Sequence, residues 1–181
     1  GLGDVYKRQI KYQLEDSEEF VTVATTRPET LLGDMALAVN PNDQRFIHLI
    51  GKNASIPLCN RMIPIVADDY VDPEFGTGVV KITPAHDFND YELGKRHGLH
   101  MDKNSLCHVG DEDAFAPISI LNKKVKIVGI APKKFHGMDR FDARKLLLED
   151  LQKEKLLVSE DKYESTMPYG DRSDQILEPL L

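Results

Sequence analysis

Cysteine is scarce in this chain. Its 181 residues include two, Cys59 and Cys107. They form no Cys-x-x-Cys pair, which argues against a disulfide framework and a cysteine-based zinc site, and reads as buried or incidental thiols in a reducing compartment. No apolar run approaches the roughly 20 residues of a membrane span. No charged start followed by an apolar stretch marks a secretory signal. The expectation is a cytoplasmic protein with no membrane partner. Repeats, low-complexity tracts and sharp linkers are lacking too, so one domain is expected. Positive charge is in deficit, with a net charge of −7, which argues against wrapping a long stretch of nucleic acid. Contact with one nucleic-acid end through a local basic patch stays open. Lys123, Lys124, Lys126, Lys133, Lys134, Arg140, Arg144 and Lys145 could form it, though most of them read as solvated surface.

The 41% hydrophobic share is ordinary for a globular protein with its own core. Ile10, Tyr12 and Leu14 alternate with polar residues and predict a strand. After a turn at Asp16-Ser17, the β-branched run from Phe20 to Thr26 predicts another. Pro28 suits the first turn of a short helix ending at Leu32, with Gly33 as its stop. Met35 to Val39 reads as a strand, and Asn40-Pro41 opens an expected helix closed by Gly51. Ile56–Leu58 and Met62–Val66 flank a hairpin turn, with Pro57 and Pro64 demoting them to edge or bulged strands. Residues 100–117 read as a long loop, Val125 to Ile130 as a strand, and Asp139 to about Lys155 as a capped amphipathic helix. Residues 159–175 read as polar and turn-rich. The fold class expected is α+β, a barrel-like β-sheet core with peripheral helices.

Chemistry concentrates in two stretches. In the first, Thr25-Thr26-Arg27-Pro28-Glu29-Thr30, free backbone N–H groups and an arginine at a helix start could hold an anion, or Arg27 could be solvated at a strand end. In the second, Gly76 to Asp90, a Gly-Thr-Gly turn enters a strand from Val79 to Thr83, and Pro84 stops it before a helix begins at Asp87. Lys81, Thr83, His86, Asp87 and Asp90 collect at that junction. The plain structural reading is that Asp87 caps the helix, Asp90 supports the capping box, and Lys81 is an exposed strand residue. The functional reading is a binding site at a strand-to-helix loop. His86 beside Asp87 hints at a metal ligand, but two adjacent residues do not make a metal site. No Ser-His-Asp or Cys-His set is evident, so a hydrolytic site would use water directly.

The segment Thr25 to Asp34 resembles the threonine-rich motif of the editing domains of the class I aminoacyl-tRNA synthetases for valine, isoleucine and leucine. Gly76 to Tyr91 resembles the second editing motif of that group. The forms Arg27-Pro28-Glu29-Thr30 and Lys81-Ile82-Thr83-Pro84-Ala85-His86-Asp87 look like the valine branch. Val39–Asp43, Ile63–Val66 and Pro168–Ser173 add further matches. The resemblance covers residues 10–181. Residues 1–9 stay an unassigned leader, and about 165–181 would return the chain toward a catalytic domain that is absent. The His-x-Gly-His and Lys-Met-Ser-Lys-Ser signatures of the ATP site are also absent, so ATP and magnesium chemistry would belong to the rest of a synthetase. No cofactor is expected for editing.

What the resemblance implies is an ester hydrolase that proofreads tRNA(Val) carrying threonine at its acceptor end. Asp90 would hold the α-ammonium. Asp87 would accept the threonine hydroxyl, with Thr83. Lys81, Thr25, Thr26 and Arg27 would position the terminal adenosine, its ribose and the ester, with Pro28, Thr30 and His86 completing the substrate pocket. A passive tRNA-docking insertion is the alternative, and a metal-dependent hydrolase a third.

Overall fold

The computed structural model describes residues 4–163. The expected segment Pro168–Ser173 and the return at Glu178-Pro179 lie outside the described residues. The strands are β1 (Tyr6–Leu14), β2 (Phe20–Thr25), β3 (Ala36–Val39), β4 (Asn53–Ser55), β5 (Met62–Ala67), β6 (Val79–Ile82), β7 (His100–Met101), β8 (Cys107–His108) and β9 (Leu157–Lys162). Two α-helices, α1 (Phe88–Arg96) and α2 (Arg140–Lys153), lie among them. The main sheet runs β2-β1-β4-β5-β3-β6, with β9 also on β1. It is mixed, since β3 pairs parallel with β5 and antiparallel with β6. The sheet nearly closes into a barrel. Just before β6, the Thr77 hydroxyl donates to the carbonyl of Thr22 in β2 at 2.5 Å, tying the two ends together. The expected barrel-like α+β fold is what the chain adopts.

Alternation explains the closure. Ile10, Tyr12 and Leu14 of β1 and Val21 and Val23 of β2 point inward and are buried. They meet the wholly buried β3 and the inner residues Ile63 and Ile65 of β5. Each such aliphatic side chain contributes roughly 1.5–3 kcal/mol when fully withdrawn from water. A second layer, Phe135, Ala143, Leu147 and Leu151, seats α2 on the barrel.

Several expectations are corrected. β1 starts at Tyr6, so residues 6–9 are strand, paired with β2 and β9. No α-helix forms over residues 41–51. Asn40 accepts from the Asn42 N–H and Asp43 from the Arg45 N–H, so side chains compete for the first helical bonds and leave turns plus a 3-10 turn at Ile47–Leu49. The hairpin is present, but its first strand is Asn53–Ser55, and Ile56–Leu58 form the turn. β5 is interior despite Pro64, because its ladder with β3 starts one residue later, at Ile65. Residues 100–117 contain the β7–β8 hairpin. Val125 adopts φ 60°, so residues 125–130 make isolated bridges instead of a strand. β9 takes up residues 157–162, where turns were expected from residue 159 onward.

Candidate active site

The ends of β2 and β6 lie together at one end of the barrel. A cavity of about 220 Å³ opens there. Thr25, Thr26, Arg27, Thr30, Lys81, Thr83, Asp87 and Asp90 line it, together with Lys7, Phe75 and Tyr163. The Gly-Thr-Gly turn forms one wall. Gly78 there has φ +83°, a left-handed conformation that strains any other residue, and a Cβ on it would have to displace the Arg45 guanidinium 2.6 Å away.

The two stretches are stitched together by polar contacts. Arg27 donates to the carbonyl of His86 at 3.1 Å and pairs with the Asp87 carboxylate at 3.2 Å. Thr25 accepts from the Arg27 N–H, and the Thr30 hydroxyl donates to the Arg27 carbonyl. Pro28–Gly33 forms a buried 3-10 helix, one residue longer than expected. Glu29 fixes it from behind. Its buried carboxylate accepts from Arg140 at 2.6 and 3.0 Å and from Arg144 at 2.7 and 2.9 Å. The two guanidiniums outweigh the burial that would raise it, and hold Glu29 below the usual carboxylate range. Arg140 and Arg144 thus serve this clamp, and Lys134 pairs with Asp150, which thins the imagined basic patch.

Lys81 is not an exposed strand residue. It is buried, with its ammonium 2.8 Å from Thr30 Oγ1, 2.5 Å from Thr83 Oγ1 and 2.8 Å from Asp34 Oδ1. Thr83 donates its hydroxyl to Asp34, and Tyr12 donates its own to the other Asp34 oxygen at 2.5 Å. Burial raises the pKa of Asp34, with the Lys81 charge opposing. Asp34 and Tyr12 were missed as site residues. Asp34 stood inside the first motif, but nothing local tells that β1 and β6 converge on it.

Asp87 caps α1 as expected, accepting the Asp90 N–H at 3.0 Å. Asp90 does not complete a capping box. Its carboxylate turns inward and accepts the N–H of Thr83 at 2.9 Å. Burial and the neighbouring Asp87 charge push its pKa up to about 7, against that N–H bond and Lys81. A carboxylate that resists ionisation is one poised to receive a cation or a proton. Pro28 and His86 do not reach the cavity lining. His86 is buried, and its Nε2 accepts the N–H of Ile120 at 3.2 Å, so it anchors a loop. Burial, then Lys81 and Arg140, lower its pKa to about 4. Among the described residues no group of three or more His, Cys, Asp or Glu side chains could hold a metal ion. No helix among them is long and apolar enough to cross a membrane.

Residues 48–152 match the family described as leucyl-tRNA synthetase, editing domain. The chain belongs to this family of synthetase editing domains. Within it, the chain is 53% identical over 178 residues to a valine–tRNA ligase of Legionella pneumophila (strain Paris), covering 98% of this chain and 18% of that protein. It is 52% identical over 172 residues to the valine–tRNA ligase of Clostridium tetani and 46% identical over 172 residues to that of Pelagibacter ubique, covering 95% of this chain and 18% of each. The chain therefore spans less than a fifth of these relatives. The solved structure titled "The crystal structure of GlLeuRS-CP1" superposes with a TM-score of 0.63 at 13% identity, covering 90% of this chain and all of that one, and shows the shared fold.

Proposed function

We propose that this chain hydrolyses the ester linking threonine to tRNA(Val), acting in the cytoplasm beside the remainder of a valine–tRNA ligase. The observation that carries the reading is the pair Asp87 and Asp90, one capping α1 and the other turned into a cavity walled by threonines. Valine and threonine are near-isosteres. A hydrophobic synthetic pocket separates them only about a hundredfold, a figure established for this enzyme family and not worked from this structure. A second site that demands the hydroxyl supplies the missing discrimination.

In this reading the α-ammonium binds Asp90, adding a cation where burial and Asp87 outweigh Lys81 and oppose its ionisation. The single proton of the threonine hydroxyl is shared between Thr83 Oγ1 and the Asp87 carboxylate. The two Asp87 oxygens each take one internal bond, from Asp90 N–H and from Arg27, which leaves acceptor capacity on both. Thr25, Thr26 and Arg27 position the terminal ribose and adenine at the cavity mouth, and Lys81 sets the ester's place indirectly, by its charge and by holding the Thr30 and Thr83 hydroxyls. A water attacks the carbonyl carbon, the ribose oxygen leaves and takes a proton, and threonine and free tRNA result. Thr30 supports Lys81, Pro28 sets the 3-10 helix, and His86 holds the loop beneath.

The test is deacylation of threonyl-tRNA and valyl-tRNA by this chain, with and without a chelator at constant magnesium. Hydrolysis of the threonyl ester that survives chelation supports the reading. Loss with the chelator, restored by zinc, favours a metal-dependent hydrolase. Binding of tRNA without deacylation favours a passive docking insertion.

A further inference from the structure

Asp34 is the least accessible charged group of the site, with 0% exposure, and it does not line the cavity. Its position decides what the residues in front of it can do. Thr83 has one hydroxyl proton, and gives it to Asp34 Oδ1 at 2.8 Å. One of its two acceptor positions is taken by the Lys81 ammonium at 2.5 Å. What Thr83 can still offer the cavity is a single lone pair. Lys81 has three protons, and three acceptors surround it: Thr30, Thr83 and Asp34. Neither residue has a proton to spare for a ligand. The Tyr12 hydroxyl on the second Asp34 oxygen keeps the carboxylate from turning.

We propose that Asp34 is a positioning and specificity-determining residue, which by taking the Thr83 proton and pairing with Lys81 makes the Thr83 oxygen an acceptor only, so that the cavity selects an aminoacyl group bearing a hydroxyl donor. The proposal rests on the editing function proposed above. A threonyl side chain supplies the donor. A valyl side chain puts a methyl group there and leaves that remaining lone pair desolvated and unpaired. Without the Asp34 carboxylate, the Thr83 hydroxyl turns its proton into the cavity, and the penalty on valine disappears.

Two measurements test this on the 181-residue chain. The first is calorimetric titration with threonyl- and valyl-adenosine whose ester oxygen is replaced by NH, using the parent, Asp34→Leu, Thr83→Val and the double variant. Leucine is near-isosteric and offers no acceptor, whereas an asparagine oxygen could still take the Thr83 proton. Asp34→Leu should lower the threonyl-over-valyl affinity ratio about tenfold, the factor for one buried hydrogen bond. Added to Thr83→Val, it should change the ratio by less than about twofold, because the effect runs through Thr83. The second needs no variant and no ligand: the exchange rate of the Thr83 hydroxyl proton with water by NMR, expected to be far slower than in a free threonine. A folded Asp34→Leu chain with the parent ratio, an equal loss in the Thr83→Val background, or fast hydroxyl exchange would each overturn the proposal. If Asp34→Leu does not fold, the parent's hydroxyl exchange decides. If the parent binds neither probe, the editing function fails on that titration alone, and the exchange rate still judges the role of Asp34.

Discussion

Replacing Asp90 with asparagine should stabilise the chain while ending its hydrolysis. The reason lies in the ionisation of Asp90. Its pKa is pushed up to about 7 by burial and by Asp87, against about 3.9 in an unfolded chain. Between these values the folded state holds a proton that the unfolded state has released. Stability therefore falls as pH rises from about 4 to about 7, then levels off. Three pKa units correspond to about 4 kcal/mol, and water entering an open cavity reduces this, so the cost at about pH 8 is roughly 2–4 kcal/mol. Asparagine carries no charge, and its oxygen can still accept the Thr83 N–H. It forfeits the attraction of a carboxylate to the start of α1, about 0.3–1 kcal/mol, which is smaller. The melting temperature of Asp90→Asn should then exceed the parent's by roughly 4–12 °C at about pH 8, for a chain of this length. The gain should shrink toward nothing as pH approaches about 4. Scanning calorimetry across that range reads both quantities. Equal melting temperatures at every pH, or a lower one for the variant at about pH 8, would refute the argument that Asp90 is ionised against its surroundings. Binding of an α-ammonium would relieve the same penalty, which is how the strain serves the proposed function.

Asp87→Ala should lose the α1 cap, costing about 1 kcal/mol in a denaturant titration, and should blunt the preference for threonyl- over valyl-tRNA in the folded fraction. Glu29→Gln leaves Arg140 and Arg144 facing a neutral group, and a drop of about 3–5 kcal/mol in unfolding free energy is expected, as for a broken buried ion pair. The His86 ring should stay neutral in the folded chain, so its NMR resonances should not titrate between about pH 5.5 and pH 8. Because its pKa is lowered to about 4, its contribution to stability should decline as pH falls below about 6.5, where the unfolded chain takes up a proton.

What could be read in the sequence was local. Asp87 and Asp139 announce α1 and α2 because a short carboxylate accepts the first free N–H groups, and both do so. The period-2 pattern of Ile10, Tyr12 and Leu14 marks β1 because one face is buried. β9 was invisible for the same reason, since its side chains are mostly exposed and polar and carry no alternation. The expected helix after Asn40 failed where Asn40 and Asp43 spend their side chains on turns. At the site, eight of the ten residues expected from the two motifs, all but Pro28 and His86, line one cavity. Asp34, Tyr12 and the Glu29 clamp depend on partners 22 to 115 residues away. No window along the chain displays such pairings. Lys81 could be an exposed strand residue or a site residue on sequence alone, and the buried carboxylate behind it removes the exposed reading.

The most direct test of the central claim sets threonyl-tRNA(Val) and valyl-tRNA(Val) side by side with the parent chain and a folded Asp90→Ala variant, and follows release of the amino acid. The account predicts that the parent deacylates the threonyl ester and spares the valyl ester, and that folded Asp90→Ala hydrolyses neither. Hydrolysis of threonyl-tRNA by folded Asp90→Ala at the parent rate would contradict it.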